Sequence, residues 1–240
     1  MSKKILAVIG LRSGSKGLKN KNIKKLNGKP LFSYILNSAK KSKYINRIII
    51  STDSTKYKKI VKKFGAEVPF LRPKKYSKKN SEEILFIKDL LRKLKKKENY
   101  IPDIIVRLLA TSPFQKTKDI DKAIKIVLNG NYDSSVVISK ARQHPEKALR
   151  ITGKNKKYVS TYIKNNPLKV GSSLNRQKFG EAFFRSNVLV CKLKIIEKYN
   201  SLSSKKSGFI KIPFTIDIDD IEDFNYAEYL IKKNKTFFRS

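Results

Sequence analysis

The stretch ILAVIGLRSGSKGLKNKNIKKLNGKP, Ile5–Pro30, decides how the rest of the chain is read. Its apolar run, Ile5 to Ile9, has the length and continuity of a strand buried on both faces. A loop follows that carries Gly10, Gly14 and Gly17 among Arg12, Lys16, Lys19 and Lys21. Asn27, Gly28 and Pro30 then mark a turn, and a helical pattern begins at Leu31. Buried strands that run into Gly-rich basic loops hold phosphates in many α/β proteins. Glycines let backbone N–H groups approach the ligand, and cations neutralise it. The spacing is neither G-x-x-x-x-G-K-[ST] nor G-x-G-x-x-G. The plain alternative is an exposed basic turn.

Outward from this stretch, apolar strands alternate with helical patterns. Leu31–Lys41 has helical spacing, Arg47–Ile50 is a second buried strand, and Ser51-Thr52-Asp53-Ser54 follows it. Asp53 or Ser54 either caps the next helix or contacts a nucleotide. Glu67–Leu71 has the form of a short strand closed by Arg72-Pro73. Asn80–Lys97 has the pattern of a long amphipathic helix with a basic outer face. Ile104–Leu109 is a third central strand, and it ends at Ala110-Thr111-Ser112-Pro113. Thr117–Leu128 is helical and Asp133–Ile138 is the next strand. This alternation predicts a mostly parallel, Rossmann-like α/β sheet covered on both faces, with ligands at the carboxyl ends of its strands. From Ser139 to about Phe183 the alternation breaks down, and so long an excursion calls for a partner surface or is a surface loop. Phe183–Cys191 returns as a strand, and Asp223–Ile231 forms the last helix.

The 240 residues make a single domain, 1–240, with 139–183 as an arm. An apolar fraction of 40% supplies a core, and no apolar run is long enough for a membrane span. Cys191 is the only cysteine and His144 the only histidine, which excludes an intrachain disulfide and a multi-histidine metal site. The absence of a signal-like apolar segment at the N-terminus predicts a cytoplasmic protein. The net charge of +37 suggests a polyanion partner, but the 56 cations are spread along the whole chain. No aromatic-interleaved basic cluster accompanies them, so no specific nucleic-acid partner is expected.

The acidic stretch Thr215-Ile-Asp-Ile-Asp-Asp220 stands out in this basic chain. Asp217 and Asp219 are two apart and point the same way on an extended segment. Mg²⁺ takes one or two carboxylates together with phosphate oxygens, so the pair is a candidate metal site. The other reading is an acidic turn before the last helix.

Arg12-Ser-Gly-Ser-Lys-Gly-Leu18, Lys21-Asn22-Ile23, Ser51-Thr52-Asp53, Thr111-Ser112-Pro113, His144-Pro145-x-Lys147, Asn175-Arg176-Gln177, Phe184-Arg185-x-Asn187 and Asp217-Ile-Asp219 occur in the order found in the acylneuraminate cytidylyltransferases. The chain resembles that family, which includes the CMP-sialic, legionaminic and pseudaminic acid synthetases, over nearly its whole length. The resemblance implies a nucleotide-diphosphosugar-transferase-like fold. It also implies transfer of CMP from CTP to the anomeric hydroxyl of an acidic nine-carbon sugar, with release of pyrophosphate. Arg12, Lys16 and Lys21, with backbone from Ser13, Gly14, Ser15 and Gly17, would then hold the triphosphate. Asn22, Thr111 and Ser112 would serve the nucleotide, and Asp217 and Asp219 would bind Mg²⁺, with Arg12, Lys21 and Asp219 as the catalytic set. Lys147, Arg176, Gln177, Arg185 and Asn187 would face the sugar. The arm at 139–183 would cross to a second subunit in a homodimer. Departures cluster on the sugar side: Leu109-Ala110 stands for the family's usual Gln-Pro, Ser186 for a Pro and Val188 for a Gly, while Lys19 replaces a Pro in the first loop. They point to the same reaction on a variant nonulosonic acid. A CMP-Kdo synthetase, a catalytically silent relative and a basic nucleic-acid-binding protein are the alternatives.

Overall fold

The computed structural model describes residues 3–15, 17–153, 155, 157–163 and 180–233. Strand β1 (Ile5–Gly10) lies near the middle of a six-stranded sheet, and both of its faces are buried. Ile5, Ala7 and Ile9 join one core cluster, and Leu6 and Val8 join the other. The two-residue strands β2 (Lys25–Leu26) and β3 (Lys29–Pro30) form a hairpin. Asn27 at φ 45° and Gly28 at φ 79° make its turn, the left-handed pair that a tight Asn-Gly hairpin needs. Helix α1 (Leu31–Lys40) follows, then β4 (Arg47–Ser51), α2 (Thr55–Lys62), α3 (Glu83–Glu98), β5 (Ile104–Leu109), α4 (Thr117–Leu128) and β6 (Ser134–Lys140). A two-stranded ribbon of β7 (Leu149–Thr152) and β8 (Tyr158–Thr161) precedes β9 (Phe183–Lys192). Helix α5 (Leu193–Tyr199), β10 (Gly208–Ile212) and α6 (Ile221–Lys233) complete the described chain.

The sheet order is β10-β6-β9-β5-β1-β4. Helices α1, α2 and α4 cover one face, and α3 and α5 cover the other. A third cluster joins Leu26 and Leu31 to Ile216, Ile218, Phe224, Ala227 and Ile231, and so seats α6 and the acidic stretch beside the first hairpin. Among the described residues no helix is long and apolar enough to cross a membrane.

Three elements differ from the sequence reading. The sheet is mostly parallel, but β9 runs antiparallel to both β5 and β6. The reason is topological: Lys140 at the end of β6 pairs with Phe183 at the start of β9, so 141–182 is the connection of a wide hairpin and the chain re-enters from the end it left. Glu67–Leu71 is not a strand. One bridge joins Ile49 to Glu67, and Pro69, which has no N–H, cannot extend a ladder. The long helix begins at Glu83 rather than Asn80, which leaves Ser81 in the preceding loop, at the edge of a cleft.

The β6–β9 register shifts between Val136 and Ile138, so Ser186, Asn187 and Val188 oppose a single residue. Such bulges re-aim side chains. Here Ser186 and Asn187 are buried and reach the turn after β5, where Ser186 Oγ meets Gln115 Oε1 at 3.3 Å.

Candidate active site

The loop after β1 is tied down from three sides. Asp53 takes both the N–H and the Oγ–H of Ser13, at 2.9 and 2.8 Å. Asn22 is buried, and its amide donates to the Arg12 carbonyl at 3.0 Å. The Tyr57 hydroxyl donates to Asn20 Oδ1 at 3.2 Å. Ser54, not Asp53, caps α2 through its Oγ and the Tyr57 N–H. Asp53 thus anchors the loop after β1 rather than capping the helix.

The acidic stretch meets this loop. Ile216 and Ile218 point into the core while Asp217 and Asp219 line the cleft, so the two carboxylates share one side of an extended segment. Ile218 N–H donates to the Thr111 carbonyl at 3.0 Å, which locks the segment to the end of β5. Lys21 Nζ lies 2.7 Å from Asp219 Oδ1. Asp220 turns away: its Oδ1 accepts the Asp223 N–H at 2.9 Å, and Asp223 returns an acceptor to the Asp219 N–H at 2.9 Å. Those bonds start α6. A cleft of about 480 Å³ opens between these elements and the far wall, and Arg12, Ser15, Gly17, Lys21, Thr111, Asp217 and Asp219 all line it.

Gly17 is required here by contact. A Cβ at this position would lie 2.6 Å from the Asp219 carbonyl oxygen. Gly14 has open space around it, so no such need applies there. Gly17→Ala is therefore expected to push the loop and the acidic stretch apart. Turnover should fall by roughly tenfold or more, in line with the sensitivity of catalysis to small displacements, while Gly14→Ala should leave it within about threefold. Steady-state rates of the two variants compare the effects directly.

On the far wall Arg72 is buried, donates from Nε to Ser51 Oγ at 3.0 Å and from Nη2 to the Ser51 carbonyl at 2.7 Å, and stacks 3.7 Å above the Phe86 ring. Burial pulls its guanidinium down to about 10, against the pull of Asp53 and Glu83, so it stays charged at neutral pH. Asp217 is held in the opposite sense. Desolvation inside the cleft raises its carboxyl, Asp219 adds to that, and Thr111, Lys21 and Asn187 oppose it.

A smaller cavity of about 200 Å³ adjoins the cleft at Asp217 and is lined by Arg142, Phe184, Arg185, Asn187 and Thr215. The Asn187 amide donates to Ser112 Oγ, and both residues are buried. Ser13 and Ser112 therefore support the walls through bonds within the protein, Asn22 both braces the loop and lines the cleft, and Arg12, Lys21, Thr111 and Arg185 line open space. Lys147 is exposed on the short turn Pro145–Lys147 and is not among the residues lining either cavity. Lys16, Arg176 and Gln177 lie outside the described residues. Sequence reasoning did not single out Arg72, Glu83 or Arg107 as site residues. Arg107 carried a signal, since a charge inside the apolar strand Ile104–Leu109 must be paired when buried.

A family model described as cytidylyltransferase matches residues 6–238. The chain belongs to the cytidylyltransferase family. The post-translational flagellin modification protein B of Campylobacter coli is 31% identical over 232 residues, covering 95% of each chain. A CMP-N,N′-diacetyllegionaminic acid synthase of Campylobacter jejuni is 29% identical over 230 residues, covering 95% of this chain and 94% of that protein. The structure of CMP:2-keto-3-deoxy-manno-octonic acid synthetase complexed with CTP shares the fold, with a TM-score of 0.70 at 12% identity over 96% of this chain and 99% of that one. The cytidylyltransferase is an enzyme of the nucleotidyltransferase class, of the acylneuraminate type that its motifs resemble. Among its described residues no group of three or more His, Cys, Asp or Glu side chains gathers as a metal cluster. A cation here would depend on the Asp217–Asp219 pair together with ligand oxygens.

Proposed function

We propose that this cytidylyltransferase moves CMP from CTP to the anomeric hydroxyl of a nonulosonic acid of legionaminic, sialic or pseudaminic type. The observation that carries this reading is the meeting of the basic loop and the acidic stretch at one cleft, with Lys21 2.7 Å from Asp219. The sugar hydroxyl attacks the α-phosphorus, loses its proton, and pyrophosphate leaves. Negative charge gathers on phosphate oxygens, so cations and positioning matter more than a covalent nucleophile. Arg12, Lys16 and Lys21 hold the triphosphate, and Ser13 and Asn22 hold the loop that presents them. Arg185 faces the acidic sugar from the adjoining cavity, and Lys147, Arg176 and Gln177 belong to the arm that reaches it.

The donor set fits Mg²⁺. Two carboxylates share one side of the segment, and a bound cation would offset the desolvation that raises the Asp217 carboxyl and the Asp219 charge that adds to it. Such an ion supplies Lewis-acid neutralisation at the α-phosphate and the departing pyrophosphate. The reaction belongs in the cytoplasm, where nucleoside triphosphates are held.

Pyrophosphate release with CTP, UTP, ATP and GTP against a panel of nonulosonic acids and Kdo tests the reading. CTP with a nonulosonic acid should exceed every other combination. Equal turnover of UTP and CTP, or preference for Kdo, would replace it. Any DNA binding should be weak and lost with salt.

A homodimer is part of the proposal. Leu149, Ile151, Tyr158, Val159 and Tyr162 on and beside the β7–β8 ribbon are exposed, and a lone two-stranded ribbon is marginally stable in water. Sedimentation at micromolar concentration should give twice the 27.6 kDa chain mass. A monomer there would count against the arm.

A further inference from the structure

We infer that Glu83 distinguishes cytosine from uracil in the nucleotide cleft, with Arg107 as the positioning residue that holds its carboxylate from beneath. The inference rests on the proposed use of CTP.

Three carboxylates line the cleft: Asp217, Asp219 and Glu83. The first two face the basic loop and fit a cation. Glu83 comes from a different element, at the first residue of α3, on the wall that also carries Arg72, Ser81 and Phe86. An acid in a cleft built for a triphosphate repels the ligand's charge, so its place there needs a reason. Part of the reason is structural. Arg107 projects from β5, its side chain is 3% exposed, and Glu83 Oε2 lies 3.2 Å from its Nε. Buried guanidinium groups require such a partner. The start of a helix also favours an acid.

The pairing leaves Glu83 capacity to spare. Arg107 Nε makes no hydrogen bond despite the short distance, because the approach is bent, and Arg107 Nη1 is turned to the Asn187 carbonyl at 3.3 Å. The Glu83 side chain keeps 31% exposure and lines the open cleft. Its carboxylate is thus fixed on one side by a buried charge and open to a ligand on the other. Ionised carboxylates only accept hydrogen bonds. Cytosine carries an exocyclic amine with two N–H donors where uracil carries a carbonyl oxygen, and glutamate accepts from that amine in other contexts. Against uracil, the same carboxylate would face a second acceptor with no proton between them. Sites that hydrogen-bond a donor reject ligands lacking it far more strongly than apolar pockets reject a methylene. Arg107 also joins this wall to the sugar side, because the carbonyl it holds belongs to Asn187, which lines the adjoining cavity.

The test uses the full chain and nucleotide binding alone, measured by calorimetry with CTP, UTP and the triphosphate of the pyrimidin-2-one riboside, which lacks the amine. The wild type should bind CTP about 100-fold more tightly than UTP, and the amine-free analogue at least about tenfold more weakly than CTP. Glu83→Gln offers an amide that can turn an N–H towards uracil, so its CTP preference should shrink to within about tenfold. Because that change leaves the Arg107 charge buried beside a neutral group, Glu83→Gln/Arg107→Leu removes both and should show the same loss of preference. Wild-type protein that binds the analogue as tightly as CTP, or folded variants that keep the wild-type preference, would overturn the inference and leave Glu83 only as a counter-charge to Arg107 and Arg72. Wild-type protein that binds UTP as well as CTP, or binds neither, would instead overturn the proposed use of CTP.

Discussion

Asp219→Asn is expected to lower turnover by about 10³-fold with little change in folding. The substitution keeps the shape of the side chain and removes one negative charge from the pair that faces the cleft. Each ~1.4 kcal/mol of lost transition-state stabilisation is a factor of ten, so the drop corresponds to about 4 kcal/mol. Folding survives because the Asp219 side chain is 76% exposed, and an ion pair so open to water contributes little to stability. Losing its partner also frees Lys21 for phosphate, so the KM for CTP should hold steady or fall while kcat collapses. Asp220→Asn is the matched control. Its Oδ1 accepts the Asp223 N–H at the start of α6, a bond that asparagine makes nearly as well, and turnover should stay within about threefold. Rates measured across a Mg²⁺ titration, with thermal melts of each variant, check both. Wild-type turnover by Asp219→Asn, or equal turnover in EDTA and in Mg²⁺, would mean that the stretch is only the turn before the helix.

Lys21→Met is expected to reduce kcat/KM by roughly 10²–10³-fold, the size seen when a preorganised donor is lost from developing charge. The Lys21 side chain is only 13% exposed, so its stem is packed and its ammonium reaches the cleft from a fixed direction. Methionine preserves the stem and removes the charge. Both terms should suffer, since a cation on the triphosphate acts in the ground state and more strongly as pyrophosphate departs. Lys19→Met, exposed on the same loop and not among the residues lining the cleft, should change kcat/KM by less than about threefold. Calorimetry with CTP separates binding from turnover. An unchanged CTP affinity in Lys21→Met, together with unchanged kcat, would remove Lys21 from the site.

What the sequence by itself determined is what depends on short spacing. The apolar run Ile5–Ile9 specified a buried strand, because continuous apolar residues suit a sheet covered on both faces. Asn27-Gly28 specified a tight turn, because those residues accept positive φ. Asp217 and Asp219 specified a shared side, because an extended segment repeats every two residues. The ordered motifs specified the family. The tertiary structure alone decided what joins distant residues. Lys21 and Asp219 are separated by 198 positions and meet only because the third core cluster seats the acidic stretch beside the first hairpin. Gly17 must lack a Cβ because of the Asp219 carbonyl, a contact that no local pattern announces. Asp53 or Ser54 could have capped the helix or met a nucleotide; Ser54 takes the cap and leaves both Asp53 oxygens to anchor the loop through Ser13. Strand β9 runs backwards because the chain re-enters the sheet from the end where β6 left it, and the alternation of apolar residues is the same in either direction. In the sequence Glu83 is only one polar position within a long amphipathic helical pattern. Only the fold sets it over Arg107, where a buried charge fixes its carboxylate at the edge of the cleft.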